Sequence, residues 1–198
     1  MSMDFISLTA VTGAQLILTI CLADLICGLV HWFEDSYGNE HWPVIGIAII
    51  APNRLHHDRP RAFLENNWWQ SAQIQVLAGI AVLALALWIE WYSWQLVLLL
   101  VVAVNGNEVH KWAHRSKAEN NRLIAWLQDS SLIQSRRHHA QHHRGLRNSH
   151  YCPITPWVNP VLDRLRLWRL LEHAIQMTTG VKPNDEYTDN RPKNRSRL

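Results

Sequence analysis

Positive charge is missing from most of the N-terminal half of this sequence: none of its nineteen lysines and arginines lies within residues 1–53 or 62–110. Only three cysteines occur, Cys21, Cys27 and Cys152. None belongs to a Cys-x-x-Cys pair and two sit inside an apolar run, which argues against a disulfide framework or a zinc ribbon. No Glu-x-x-His pair is present, so the carboxylate-rich di-iron site of soluble helical bundles is excluded. Flavin, nicotinamide and Fe–S motifs are missing too, so a redox reaction here would draw electrons from another protein. No nucleic-acid partner is expected.

What the sequence has in excess is histidine, with twelve, and tryptophan, with eleven, in 198 residues. Mean hydropathy is close to zero, at −0.13, because long apolar runs alternate with very polar stretches. Phe5 to Phe33 is long enough to cross a bilayer of roughly 30 Å. It lacks the basic start of a cleaved signal peptide and reads as a retained span. A second apolar region, Ile74 to Val104, is interrupted from Glu90 to Trp94. Read as one helix it would place Glu90 at mid-membrane, which is costly. Read as a hairpin it gives two spans, about 33 Å from Trp69 to Trp91 and about 27 Å from Trp94 to Trp112, with aromatic residues at both boundaries. The alternative is a buried helical hairpin of a soluble protein. With about three spans and the N-terminus outside, all nineteen basic residues fall on the cytoplasmic side, as the positive-inside rule requires. The histidine clusters fall there as well. The expected fold is therefore all-α: an integral, multi-pass membrane protein with a cytoplasmic histidine-rich cap.

Trp42 to Ala51 is apolar but too short to span and suits a re-entrant or interfacial piece. Asn159 to Thr179 reads as an amphipathic helix with Pro160 in its first turn and Gly180 at its end. Its face of Leu162, Leu165, Trp168, Leu171 and Ile175 serves either the membrane interface or the core. Residues 1–181 are expected to form one domain and 182–198 a disordered polar tail.

The histidines form four groups: His31; His56 and His57; His110 and His114; and His138, His139, His142 and His143. Pairs four apart leave one helix face together. Adjacent histidines aim about 100° apart on a helix, which suits two metals rather than one. Eight or nine histidines exceed what one four-coordinate zinc takes, and haem needs only one or two. A surface metal-scavenging tract is usually one contiguous run, unlike these four groups. Two metals with almost all-histidine ligands at a membrane boundary describe the membrane desaturase and hydroxylase class.

The motifs resemble a known family. Asp24-Leu-Ile-Cys-Gly-Leu-Val-His31-Trp32 with Asp35, His56-His57-Asp58-Arg-Pro60 with Glu65 and Asn67, Asn107-Glu-Val-His110-Lys-Trp-Ala-His114, and Arg137-His138-His139-Ala-Gln-His142-His143 with Tyr151-Cys152 are similar to the four motifs of the plasmanylethanolamine desaturases (the CarF/Kua, lipid desaturase domain, family). The resemblance runs over roughly residues 20 to 187. It implies two iron ions held by His31, His56, His57, His110, His114, His139, His142 and His143. Asp24, Asp35, Glu65, Asn67, Asn107 and His138 are then candidates for orienting a ligand or a metal-bound water, and Asp35, four residues after His31, for ligating a metal itself. His41 and His173 are expected to be structural or exposed, and His150 is undecided. Beyond these ligands no side chain is expected to act in catalysis.

The activity implied is O2-dependent desaturation of a membrane phospholipid, with conversion of the 1-O-alkyl chain of plasmanylethanolamine to a vinyl ether foremost. Electrons would come from cytochrome b5 or from ferredoxin with its reductase. Desaturation of a phospholipid's fatty-acyl chain is the alternative within the class. A non-catalytic metal- or haem-binding membrane regulator is the alternative outside it. Gln134-Ser135, Leu146 and Pro156 depart from the family pattern and are expected near the substrate entrance.

Overall fold

The computed structural model describes residues 3–144 and 147–184, and all regular structure among them is helical. The first helix, α1 (Met3–Tyr37), is uninterrupted by proline and mostly apolar. Ile17, Leu18, Leu22 and Val30 on it are exposed, whereas Asp24, His31 and Asp35 are buried. Those three lie seven and four residues apart, so they share one stripe of the helix. Exposed leucine, isoleucine and valine thus surround a buried polar stripe.

A turn from His41 to Ile45 leads into a π-helical turn (Gly46–Ile50) that runs without a break into α2 (Ala51–Asp58). Arg59 leaves helical geometry because Pro60 follows it. A 3₁₀ turn (Ala62–Glu65) precedes α3 (Trp68–Trp88). Asn67 opens α3 with a reciprocal cap: the Gln70 N–H donates to Asn67 Oδ1 and the Asn67 N–H to Gln70 Oε1. The expected hairpin follows. Glu90 turns the chain with a left-handed φ of 56°, and Ser93 caps α4 (Trp94–Val104).

Helices α1 (over Thr9–Tyr37) and α3 are long and apolar enough to cross a membrane. The third expected span is not one helix. It divides at Asn105 into α4 and α5 (Gly106–His114), because Asn105 turns its side chain to its own backbone and to a neighbour. Its amide donates to the Val101 carbonyl and accepts from the Trp68 indole N–H. The break sets the His110–His114 face at its own angle to the apolar helix before it. Asn107 and Lys111 then tie α5 to the start of α3, through the Ser71 carbonyl at 2.7 Å and the Asn66 carbonyl at 2.7 Å. Lys111, buried at 2% exposure, is neutralised by Glu108 at 2.7 Å.

The remaining elements form the cap. They are α6 (Arg122–Asp129), the short α7 (Arg136–His139), α8 (Val158–Arg164) and α9 (Leu167–Thr179). The single helix expected over Asn159–Thr179 breaks at Arg166, which adopts a left-handed φ of 53°. The break carries Trp168 into a core with Trp32, Tyr151 and Cys152, packed by Leu162, Leu171 and Ile175. This face therefore packs against α1, and Leu165, placed on it from the sequence, is exposed instead. Gly180 ends α9 in left-handed geometry, as expected. Residues 185–198 of the expected tail lie outside the described residues. Asn184 is held, its N–H donating to the Ser36 carbonyl and its amide to that of Asp35.

Between α7 and α8 the chain passes close along α1. Asp24 accepts hydrogen bonds from the Ile154 and Thr155 N–H groups and the Thr155 hydroxyl, at 2.7, 2.9 and 2.7 Å. One turn further, Gly28 lets the chain in: a Cβ there would meet Cys152 Sγ at 2.5 Å and its backbone at 3.1 Å. Gly28→Ala is expected to cost about 1–3 kcal/mol by overpacking. Gly13→Ala on the same helix, where a Cβ meets nothing within 4 Å, should cost nothing. Thermal unfolding of the two purified variants in one detergent checks this, and equal midpoints would refute the close approach.

Candidate metal centre

The fold brings eight histidines and one carboxylate from four places in the chain into two adjoining groups. In the first, His56 from α2, His110 and His114 from α5, and His139 and His143 at and just beyond α7 place one donor atom each within 4.8 Å of one another. In the second, His31 and Asp35 from α1, His57 from α2 and His142 do the same. The neighbours His56 and His57 part between the two groups, as do His142 and His143, because successive residues of a helical turn point in different directions. The groups touch, with ring centroids of His56 and His57 5.2 Å apart and of His57 and His143 5.1 Å apart.

The nitrogen positions match a shared cation better than a hydrogen-bonded cluster. His139 Nε2 lies 2.9 Å from His110 Nε2 and 3.0 Å from His143 Nε2, and His110 Nε2 lies 3.3 Å from His114 Nε2. A neutral imidazole has one donor and one acceptor, so protons cannot satisfy every such pair at once. For metal–nitrogen bonds of about 2.1 Å, nitrogens at right angles sit about 3.0 Å apart. His31 Nε2, both ring nitrogens of His56, and His142 Nε2 are buried without a hydrogen-bond partner, a state costly for a polar atom unless it binds something.

Several of these rings are pushed toward the neutral form that a metal ligand requires. Burial, then repulsion from neighbouring imidazoles, pushes His56 and His139 well below the ordinary imidazole value. Burial, with His142, His57, Arg136 and Arg61 nearby, brings His114 down to about 3. Backbone carbonyls fix two tautomers. His31 Nδ1 donates to the Tyr151 carbonyl at 3.1 Å and His142 Nδ1 to that of Ser149 at 2.8 Å, which leaves each Nε2 free for a metal.

Several expectations change. Of the two places open to Asp35, behind the ligands or among them, the structure groups it with His31, His57 and His142. Its carboxylate lies 2.9 Å from His57 Nε2, 3.4 Å from His142 Nε2 and 3.7 Å from His31 Nε2, and accepts from Asn53 Nδ2 at 2.6 Å. Asp24 does not orient His31, since its carboxylate is taken up by residues 154 and 155. Asn67 is used in the cap of α3, and Glu65 is exposed at the end of the 3₁₀ turn, so neither faces a metal group. His138 stands outside both groups, with its ring near that of His150 and its Nε2 3.4 Å from Asn159 Nδ2. His150 pairs with Asp163 at 2.8 Å. His41 and His173 are exposed. Asn53 and the Tyr151 and Ser149 carbonyls were not foreseen. A carbonyl carries no side-chain signature, while Asn53, four residues before His57 on α2, could have been found.

Two cavities reach the histidines. A largely apolar one of about 360 Å³ lies between α1, α3 and α4, lined by Ile26, Val30, Val82 and Leu100 among others, and ends on His31 and His110. A more polar one of about 300 Å³, bordered by Gln70, Ser71 and Asn66, ends on His56 and His110. Glu34, Asn53, Gln75, Asn107 and His110 line both. The positions expected at a substrate entrance are elsewhere. Gln134 is buried and donates to the Cys152 carbonyl, while Ser135 and Pro156 line a separate hollow of about 240 Å³. Leu146 lies outside the described residues.

Residues 20–186 match the family model of the lipid desaturase domain. The chain is 33% identical over 172 residues to a probable fatty acid desaturase of Acanthamoeba polyphaga mimivirus, covering 85% of this chain and 84% of that protein. Plasmanylethanolamine desaturase 1 of Mus musculus is 31% identical over 177 residues, covering 82% of this chain and 64% of the mouse protein. Chloroplastic fatty acid desaturase 4 of Arabidopsis thaliana is 34% identical over 166 residues, covering 82% and 51%. The chain thus spans less than two thirds of the mouse relative and about half of the plant one. No solved structure matches it.

Proposed function

This chain belongs to the lipid desaturase domain family, and on that footing we propose that it is an O2-dependent lipid desaturase with two histidine-held irons. The reading rests above all on one juxtaposition: the apolar cavity between α1, α3 and α4 ends on His31 of one donor group and His110 of the other. Iron in both groups would supply reduction of O2 and removal of two hydrogens from adjacent carbons. The balance is CH2–CH2 + O2 + 2 e⁻ + 2 H⁺ → CH=CH + 2 H2O, with the electrons from a protein such as cytochrome b5 or ferredoxin.

The chain's own residues position and shield. Val30, Val82 and Leu100 hold an alkyl chain and exclude water, so that one C–C bond stays within reach of the histidine groups. Asn53, Gln75 and Asn107, common to both cavities, offer hydrogen bonds where the chain meets its polar end. The substrate we propose is a 1-O-alkyl phospholipid, plasmanylethanolamine foremost, and the product a vinyl ether. The names of the mimivirus and Arabidopsis relatives support the second reading, an acyl-chain desaturase acting on a phospholipid. We take the N-terminus to lie outside and the histidine cap in the cytoplasm, a topology supported by the distribution of the nineteen basic residues.

Membranes containing the chain, fed 1-O-alkyl phosphoethanolamine with O2 and a reductant, are expected to accumulate an acid-labile vinyl ether that releases a long-chain aldehyde. The yield should stop when iron is chelated. An acid-stable double bond in an ester-linked chain would replace this substrate with the acyl one. No new unsaturation, with two irons bound and a competent donor present, would overturn both.

A further inference from the structure

The five-histidine group is flanked by positive charge that no acid among the described residues neutralises. Arg136 and Arg137 precede His139 on α7, and Arg144 follows His143 directly; all three are exposed. Among the described residues none of them makes an ion pair. The nearby acids are engaged elsewhere: Glu119 by Arg61, Asp129 by Lys117, and Asp58 by Arg147. Arg115, partly exposed just after His114, adds a further cation with no ion pair among the described residues. Within that group His143 is the one member that is not fully buried. The surface with the uncompensated charge is thus also where the five-histidine group comes nearest to solvent.

We propose that Arg136, Arg137 and Arg144 form the docking surface for an acidic one-electron carrier protein, and that electrons enter the five-histidine group at His143. The inference rests on the desaturase reading, whose balance needs two electrons that the chain has no prosthetic group to deliver. Each encounter passes one electron from the carrier, which is oxidised, to the metal, which is reduced, so two encounters serve one double bond. Such carriers bind briefly through small interfaces, typically under about 1,200 Å². Long-range charge attraction, more than contact area, brings them to the right face. Arginine suits this use because its fork binds carboxylates in two points and stays charged. Basic residues facing a membrane would instead meet anionic lipid headgroups. The patch flanks the metal donors on the sequence stretch that supplies three of them, His139, His142 and His143, which favours the carrier.

The test uses the metal-loaded chain in detergent micelles, titrated with oxidised cytochrome b5 as the acidic probe and cytochrome c as a basic control. Cytochrome b5 is expected to bind, with affinity falling about tenfold or more between about 20 mM and 200 mM salt, and cytochrome c is not. Arg137→Glu with Arg144→Glu should weaken cytochrome b5 binding at least tenfold at low salt and flatten the salt dependence; Lys at both positions should largely restore it. Reduction of the bound metal by cytochrome b5 should slow in parallel, while reduction by dithionite stays at the wild-type rate, which excludes a damaged centre. Wild-type affinity in the double Glu variant would overturn the proposal. So would an unchanged cytochrome b5 affinity accompanied by lost binding to phosphatidylglycerol vesicles, which would make the patch a lipid-facing one. Salt-sensitive cytochrome b5 binding without unsaturation of any lipid would keep the docking surface and remove the desaturase reading.

Discussion

His139→Ala is expected to lower product formation at least about 100-fold and to strip iron from the purified protein, leaving at most one iron per chain where two are expected. His139 is the hub of the five-histidine group: its Nε2 lies 2.9 Å from that of His110 and 3.0 Å from that of His143, and it is 2% exposed. Removing it leaves a hole among buried nitrogens that no water-exposed side chain can fill, and metal affinity falls steeply when even a residue behind a ligand is lost, by 10–100-fold. The informative control is its sequence neighbour. His138→Ala should keep most of the activity and both irons, because His138 points to His150 and Asn159. His173→Ala, at an exposed position, should do the same. Metal analysis beside lipid analysis, with the detergent melting temperature as a check on folding, separates ligand loss from collapse. Full activity in His139→Ala would dismantle the two-metal reading.

The second large effect is expected at Asp35. Asp35→Asn keeps the size and shape of the side chain but exchanges one carboxylate oxygen for an N–H donor facing three Nε2 atoms. The variant should hold about one iron rather than two and lose about 100-fold in product, while the five-histidine group stays loaded. Loss of a buried partner to charged or metal-bound groups typically costs 3–5 kcal/mol, more than two factors of ten in an equilibrium constant. Two irons and normal turnover in Asp35→Asn would return Asp35 to a purely structural place beside Asn53.

The histidines were legible in the sequence because chemistry and spacing coincide. Pairs four apart can reach one point from a helix, and adjacent pairs cannot. The structure splits His56 from His57 and His142 from His143 along that line. The acids and amides were harder to place. Asp24 and Asp35 lie on one stripe of α1 and look equivalent as sequence. What separates them is the chain segment arriving more than a hundred residues later, which offers Asp24 free N–H groups and Asp35 the ring of His142. Asn67 looked like a site residue because it stands beside a motif, yet its local use as a cap is the commoner role for asparagine before an apolar run. The hairpin turn at Glu90 could be inferred from the penalty of a mid-membrane charge. The break at Asn105 could not, since it depends on a tertiary bond to Trp68.

The long separations also set an order of events during synthesis. His31 finds its carbonyl partner 120 residues further on, at Tyr151, and Asp24 finds its N–H donor 130 residues away, at Ile154. A ribosome adding about 5–20 residues per second needs on the order of 10 s to cover that distance. Through that interval α1 carries a carboxylate and an imidazole whose final companions do not yet exist. Neither donor group can close before His139, His142 and His143 have been made, so neither can take up a metal while only the helices before them exist. On the di-iron reading proposed above, iron starvation would leave a chain whose helices have already formed and whose two donor groups lack their metals, rather than prevent those helices from forming.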